Sequence, residues 1–208
     1  MIELFTWDTP NGKKISIMLE EINYKYKVTK IDISKGEQFK QEFKKISPFS
    51  KIPVIKDHEN NEIIFESGAI LIYLGEKSGK FYEKKNRNLI NQWLMAQMGY
   101  IGPMLGQHHQ FHHYNPGKST FGEERYFKIS RDIYKDLDES LSTSKFLAGE
   151  SYSIADIATW PWIARHEWHD IGLKNYKNLK RWYLEISERP AVIKAYNFMD
   201  SSNKIPKP

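Results

Sequence analysis

The stretch Ser50-Lys51-Ile52-Pro53-Val54-Ile55 and, shortly after it, Phe65-Glu66-Ser67-Gly68-Ala69-Ile70 carry the strongest fold signal in this chain. Proline donates no ladder hydrogen bond, so Pro53 is expected to open a strand rather than to lie within one. At that place the Ile52–Pro53 bond could be cis, which leaves the backbone N–H and C=O of Ile52 to pair with an extended ligand. Glu66 and Ser67 stand where an apolar run turns into a helix, a place that binds carboxylates through backbone amides. A backbone that can pair with an extended ligand and a helix start that can bind a carboxylate, close together in the chain, indicate a site for a small peptide.

Short strand and helix signals alternate through the first part of the chain. Strands are predicted at residues 2–6, 26–33, 53–56 and 63–65, and helices after the 9–12 turn, around the Phe39/Phe43 pair and at 67–77. The order is therefore βαβ, helix, ββα, which requires one parallel strand pair with a right-handed crossover and one antiparallel hairpin.

Strand signals stop after residues 83–86. Long helical patterns follow at 89–113, 123–141, 154–168 and 179–187, and Gly99, Gly102 and Pro103 predict a bend in the first of these. We therefore expect an α+β domain over 1–80 and an all-α helical domain over 87–208.

Composition excludes several kinds of site. The 208 residues include no cysteine, which rules out disulfides, thiolate metal ligands and a catalytic thiol of the protein itself. The net charge of +5 is scattered rather than clustered, so no nucleic-acid partner is expected. No apolar run approaches the roughly 18 residues that span a bilayer, and no signal-peptide pattern opens the chain. These features predict a cytoplasmic protein with no membrane partner.

A folding signal marks the second half. Ser153-Ile154-Ala155-Asp156 has the form of a capping box, in which the Ser153 and Asp156 side chains satisfy each other's backbone amides. Asp156 is of a catalytic residue type, but capping is the favoured role. Trp160, Trp162 and Trp168 are expected to share one helix and to pack in the core.

These motifs, taken together and in order, resemble the cytosolic glutathione transferase family over essentially the whole chain. Four runs make it most similar to the bacterial Nu class, whose members are glutathione-dependent disulfide-bond oxidoreductases. The runs are Thr9-Pro10-Asn11-Gly12-Lys13-Lys14-Ile15, Lys35-Gly36-Glu37-Gln38-Phe39, Gly102-Pro103-Met104-Leu105-Gly106-Gln107 and Tyr152-Ser153-Ile154-Ala155-Asp156-Ile157-Ala158-Thr159-Trp160-Pro161-Trp162. The resemblance implies a thioredoxin-like first domain with glutathione as bound co-substrate.

The resemblance also implies which residues hold glutathione. The Ile52 backbone, beside a cis bond to Pro53, would pair with the cysteinyl unit. Glu66 and Ser67 would hold the γ-glutamyl amino and carboxylate groups, and Gln38 would contact the backbone of the tripeptide.

A homodimer is implied as well. Arg131 matches an arginine that, in the subgroup, reaches the neighbouring subunit's site. Without the resemblance, Arg131 is an ordinary solvated cation on a helix.

The glutathione sulfur is expected near Thr9 and Asn11. The stretch Phe5-Thr6-Trp7-Asp8-Thr9-Pro10-Asn11 contains neither tyrosine nor cysteine, but it offers the Thr9 hydroxyl, the Asn11 amide and backbone amides opening a helix. A free thiol has a pKa near 8.5, and helix N-termini and hydrogen bonds to the thiolate lower it. The alternative is plain turn chemistry, with Asn11 and Gly12 at positive φ.

Three kinds of function stay open. The favoured one is reduction of small disulfides by bound glutathione thiolate, through thiol–disulfide exchange with no covalent intermediate on the protein. The second is conjugation of glutathione to electrophiles. The third is a non-catalytic binding or assembly domain, because folds are reused for other functions.

A run of histidines raises the question of a metal. Helical spacing pairs His108 with His112 and His109 with His113, as in some transition-metal sites. No carboxylate of matching spacing completes the set. We therefore expect no metal, and the histidines are interpreted as lining a substrate pocket or facing solvent.

Overall fold

The computed structural model describes residues 1–197, 199 and 204–208. They divide into two compact units, one of Met1–Tyr82 with Pro190–Lys204 and one of Glu83–Arg189 with Ile205–Pro208. The domain limits 1–80 and 87–208 stay a prediction.

The first unit is built on a four-stranded mixed sheet. Its elements up to residue 78 are β1 (Ile2–Thr6), α1 (Pro10–Ile22), β2 (Tyr26–Lys30), α2 (Gln41–Lys44), β3 (Val54–Asp57), β4 (Glu62–Phe65) and α3 (Ser67–Ser78). The strand order is β2-β1-β3-β4, with β1 parallel to β2 and the two other pairs antiparallel. This order of elements confirms the predicted βαβ, helix, ββα arrangement.

The core of the first unit follows from side-chain alternation. Ile2, Leu4 and Thr6 of β1 point to one face and are fully buried. Helix α1 buries Ile15 and Met18, which recur at helical spacing. Helix α3 ends at Gly79, which takes the left-handed conformation of a C-cap.

Two predictions in this unit are wrong. Residues 9–12 do not form a turn outside the helix, because Thr9 is the N-cap of α1 and Pro10 its first helical residue. Phe39 does not share a helix with Phe43: it lies in a 3₁₀ segment, Glu37–Phe39, and is 65% exposed, whereas Phe43 is buried in the short α2. Gly36 at φ 72° and Lys40 in an extended conformation limit that segment to a single turn.

The second unit consists of helices. They are α4 (Arg87–Ala96), α5 (Gly102–His109), α6 (Thr120–Ser140), α7 (Ile154–Ile163) and α8 (Lys177–Ser187), with π-helical segments at Gln97–Ile101 and Gln110–Tyr114. The first π-helical segment falls where a bend was predicted. The helical character of this half is confirmed.

The capping box at the start of α7 is confirmed. The Ser153 N–H donates to Asp156 Oδ2 at 3.0 Å, and the Ala155 N–H donates to Ser153 Oγ at 3.3 Å. Asp156 also accepts from the Leu147 N–H and the Trp182 indole N–H. Burial raises the pKa of Asp156, and these donors oppose the rise.

The expected end of α7 is wrong. The helix stops at Ile163 rather than continuing to residue 168, and Trp168 lies in the turns that follow, 39% exposed. Trp160 and Trp162 are buried as predicted. Trp168 instead packs against the His113 ring, with ring centroids 4.9 Å apart.

Helix α9 (Pro190–Tyr196) returns to the first unit, where it packs on α1. Val192 and Ala195 are fully buried, and Lys194 pairs with Glu20 at 2.7 Å. Lys13 of α1 donates to the Tyr196 carbonyl at 3.0 Å. This helix had no counterpart in the sequence-based prediction.

Among the residues that the structure describes, no helix has both the length and the apolar character needed to cross a membrane.

Candidate functional site

A pocket of about 150 Å³ opens in the first unit. It lies where the start of α1, the loop before β3 and the start of α3 converge. Its lining residues are Asn11, Ser47, Phe49, Lys51, Ile52, Pro53, Phe65, Glu66 and Ser67. Five of the eight residues predicted to hold glutathione or its sulfur are in this set.

Hydrogen bonds from Ser47 hold the loop before β3 in place. Ser47 Oγ donates to the Lys51 carbonyl at 2.7 Å and accepts from the Lys51 N–H at 3.0 Å. The Ile52–Pro53 peptide bond is cis, as predicted. Pro53 is buried immediately before β3, which agrees with its expected place at the start of a strand.

The start of α3 forms the opposite side of the pocket. Glu66 is the N-cap, with φ 70°, a conformation that residues other than glycine rarely adopt. Its side chain makes no capping hydrogen bond. The partial positive charge of the first helical turn is therefore not neutralised by a capping carboxylate, which suits an anionic ligand.

A buried lysine lies behind this turn. Lys14 Nζ is 3.5 Å from Ser67 Oγ, and Lys14 is 1% exposed. Burial holds the pKa of Lys14 well below its ordinary value, and the nearby Glu66 charge opposes this. No role for Lys14 was predicted from the sequence, although its place four residues before Met18 puts it on the apolar face of α1.

Thr9 and Asn11 have different positions at the start of α1. Thr9 Oγ1 accepts the Gly12 N–H at 3.1 Å, the usual bond of an N-cap. Asn11 lines the pocket. Neither Asn11 nor Gly12 has positive φ, so the interpretation of this segment as simple turn chemistry is wrong.

Gln38 and Arg131, like Thr9, lie outside the set that lines this pocket. The Gln38 side-chain amide donates to the Ile33 carbonyl at 3.4 Å. Arg131 is exposed on α6 of the second unit, with its guanidinium carbon 6.0 Å from the centre of the Phe127 ring. Their predicted contacts with glutathione stay predictions.

The histidine run is partly buried. His108 and His109 are 1% and 7% exposed, so for these two the interpretation as a solvent-facing surface is wrong. The rings of His108 and His112 stack with centroids 4.8 Å apart.

The glutathione S-transferase N-terminal domain family matches residues 2–76, and the corresponding C-terminal domain family matches residues 123–190. The chain belongs to the glutathione S-transferase family. The N-terminal match contains every residue of the pocket.

Among glutathione S-transferases, this chain is similar to disulfide-bond oxidoreductases. It is 45% identical to disulfide-bond oxidoreductase YfcG of Escherichia coli over 199 residues, which cover 92% of this chain and 93% of YfcG. The similarity identified from the sequence motifs is therefore confirmed.

Two solved structures share the fold. A glutathione transferase from Burkholderia graminis, solved with two glutathione molecules bound per subunit, superposes with a TM-score of 0.88 at 34% identity, covering 94% of this chain and 87% of its own. A glutathione transferase from Pseudomonas putida, solved with one glutathione disulfide per subunit, gives 0.86 at 37% identity, covering 93% and 90%. The α+β first domain and helical second domain are confirmed.

Proposed function

We propose that this protein uses glutathione to reduce small disulfides by thiol–disulfide exchange. The observation that carries the proposal is the pocket itself, which gathers Asn11, Ile52, Glu66 and Ser67 in a chain that has no cysteine. The names of the relatives support the same reaction, since YfcG and a second Escherichia coli relative, YghU, are both disulfide-bond oxidoreductases.

Glutathione fits the pocket by its charges. The γ-glutamyl carboxylate is placed at the first turn of α3, where the helix dipole and the Ser67 hydroxyl attract an anion. In this proposal the Glu66 carboxylate pairs with the γ-glutamyl ammonium group. The Ile52 backbone then pairs with the cysteinyl unit, as in the addition of an extended strand.

The glutathione sulfur is placed at the start of α1. The Asn11 side-chain amide can donate to a thiolate, and the positive end of the α1 dipole favours the ionised form. Thr9 already accepts the Gly12 N–H, but a hydroxyl that accepts one hydrogen bond can still donate its proton. Both effects lower the pKa of the bound thiol below the ordinary value of about 8.5.

The exchange then takes two steps. The bound thiolate attacks one sulfur of the substrate disulfide, forms a mixed disulfide and releases the first substrate thiolate. A second glutathione thiolate attacks the glutathione sulfur of the mixed disulfide, releasing oxidised glutathione and the second substrate thiolate. The two electrons come from two glutathione molecules, and the protein supplies position and electrostatic stabilisation.

The test compares two assays with one preparation of enzyme. Reduction of bis(2-hydroxyethyl) disulfide and conjugation of a chloroarene are measured with the same glutathione concentration. The proposal predicts the larger rate enhancement for the disulfide, whereas a larger enhancement for the chloroarene would assign the protein to conjugation.

Intact-protein mass spectrometry during turnover gives an independent check. Because the chain has no thiol, no mass increase from a mixed disulfide with the protein is expected. A trapped covalent adduct would contradict the mechanism.

We also propose that the protein acts in the cytoplasm as a homodimer in which Arg131 reaches the partner's glutathione site. The cytoplasm maintains the reduced glutathione that the reaction consumes. Sedimentation equilibrium tests the dimer, and Arg131→Met tests the contact, with exposed Arg125→Met of the same helix as control. A monomeric mass at the concentration used in the assays would contradict the homodimer. Equal glutathione affinity in the Arg131 and Arg125 variants would contradict the contact of Arg131 with the partner's site.

A further inference from the structure

Histidines from two segments of the second unit come together in one cluster. His108 and His113 lie 6.1 Å apart between ring centroids, and His109 stacks on His169 at 4.7 Å. His112 stacks on His108. Asp170, next to His169 in the chain, brings a carboxylate to the same place.

The π-helical segment changes which histidines meet. An α-helix aligns residues four apart, but a π turn closes its hydrogen bonds five residues apart. With Gln110–Tyr114 in a π-helix, His108 lies close to His113 as well as to His112. Helical spacing in the sequence predicted only the pairs four apart.

Asp170 is the carboxylate that the sequence did not reveal. One ligand atom each from His108, His113 and Asp170 lies within 4.8 Å of the other two. Ligands bound at 2.0–2.1 Å to a tetrahedral ion lie about 3.4 Å apart, so modest side-chain rotation brings the three together. The Asp170 side chain is 50% exposed, which leaves it room to rotate.

The buried rings carry unused ligand atoms. Among the residues that the structure describes, neither ring nitrogen of His108 has a well-formed hydrogen bond, and the same is true of His109 Nε2 and His169 Nε2. A buried nitrogen without a hydrogen-bond partner is costly unless a ligand satisfies it.

We propose that His108, His113 and Asp170 bind a divalent transition-metal ion such as Zn²⁺. Two imidazoles and one carboxylate are a common zinc ligand set, which leaves a fourth position for water or another ligand. This assignment replaces our earlier expectation that the histidines bind no metal.

His112 supports the site from outside. Its Nε2 lies 3.1 Å from Asp170 Oδ2, so it can orient the carboxylate as residues behind metal ligands do. The His113 Nε2 contacts the Trp168 carbonyl oxygen, which restrains that ring in the same way.

The experiment is a calorimetric titration of Zn²⁺ into protein that carries no affinity tag and has been treated with chelator. We expect one ion per chain at neutral pH. Asp170→Asn should weaken binding more than the roughly 10–100-fold expected for His112→Asn, because the former loses a ligand and the latter a residue that orients one. Asparagine tolerates the left-handed conformation of Asp170, φ 52°, so this variant is expected to fold.

Two variants serve as controls. Asp136→Asn on the exposed face of α6 and His58→Asn in the first unit should leave zinc affinity unchanged. Absence of binding to the wild-type chain, or equal affinity in Asp170→Asn and Asp136→Asn, would overturn the proposal. Circular dichroism of each variant establishes that it is folded, and a visible absorption band on adding Co²⁺, lost in Asp170→Asn, gives a second readout.

Discussion

The side-chain nitrogen of Lys14 lies 3.5 Å from the hydroxyl oxygen of Ser67 and links α1 to the first residue of α3. When the Ser67 oxygen accepts from Lys14, its own proton is directed to another acceptor, and a glutathione carboxylate is the acceptor we propose. Lys14 would thus orient Ser67 without being exposed to solvent.

Replacing Lys14 with methionine keeps the length of the side chain and removes its donor. One neutral hydrogen bond contributes about 1 kcal/mol, so KM for glutathione should rise about fivefold while kcat changes little. The free energy of unfolding should not fall, because burying an amine or ammonium group is itself costly. Steady-state kinetics and urea denaturation measure the two effects. Exposed Lys44→Met is the control, and equal KM values in the two variants would remove Lys14 from the site.

Asn11→Ala tests the thiolate partner. A hydrogen bond to a charged group contributes about 1.5–3 kcal/mol, so disulfide reduction at about pH 6.5 should fall roughly 10–100-fold. Near pH 9 the free thiol ionises unaided, and the loss should shrink. Asn86→Ala, whose side chain makes no capping bond at the start of α4, is the control. A loss that is the same at both pH values would mean that Asn11 acts on something other than thiol ionisation.

Gly12→Ala tests the close packing at the start of α1. A Cβ at Gly12 would press against the Trp7 carbonyl oxygen and lie 2.5 Å from Thr6 Oγ1. The variant should lose about 1–3 kcal/mol of unfolding free energy and, because Asn11 must shift, much of its activity. Gly99→Ala, where a Cβ meets nothing within 4 Å, should be neutral or more stable by up to about 1 kcal/mol. Equal stability of the two variants in urea would contradict this account.

The contribution of Asp57 to the free energy of unfolding is predicted to depend on pH. Burial raises the pKa of this carboxyl, but hydrogen bonds from Lys77 at 2.6 Å, from Tyr73 at 2.7 Å and from the Glu59 N–H outweigh burial and lower it to about 2. Because the pKa of Asp57 is lower in the folded protein than in the unfolded chain, the unfolded chain takes up the proton at a higher pH than the folded protein does. The stabilisation is therefore complete above about pH 4 and lost as the pH falls toward 2.

Asp57→Asn should lower the free energy of unfolding by about 1.5–3 kcal/mol at neutral pH. The difference from wild type should narrow on acidification below about pH 4. Urea titrations across this range measure it, with exposed Asp136→Asn as the control. A constant difference down to pH 2 would show that packing, rather than the charge, stabilises this hairpin.

The features that could be predicted depend on neighbours in the sequence. The capping box needs only Ser153 and Asp156, three residues apart, and β1 needs only its own alternation. Pro53 predicts the start of a strand because its ring fixes its own φ angle and removes its backbone N–H. Signals of this range were sufficient for the element order and for Ile52, Pro53, Glu66 and Ser67 of the pocket, whereas Asn11 was assigned from the family resemblance.

The features that could not be predicted depend on distant parts of the chain. Asp170 reaches the histidine cluster because α7 ends at Ile163, whereas the helical pattern that begins at residue 154 was predicted to continue to Trp168. The spacing of Lys14 from Met18 puts it on the apolar face of α1, but its contact with Ser67 depends on α3, which lies far along the chain. Helix α9 consists of only seven residues and is held by its packing on α1, which no local pattern reports.

The π turn at Gln110–Tyr114 has a consequence for how this region tolerates changes in length. A π turn holds one residue more than the α turn it replaces, so deleting Gln110 should restore α geometry without breaking the helix. Side chains beyond the deletion would keep nearly the same orientation relative to α5, because the longer π turn and the α turn that replaces it rotate the chain by nearly the same angle. A relative one residue shorter here can therefore keep the convergence of the imidazoles, because the counterparts of His108 and His113 would then be four residues apart on one face of an α-helix.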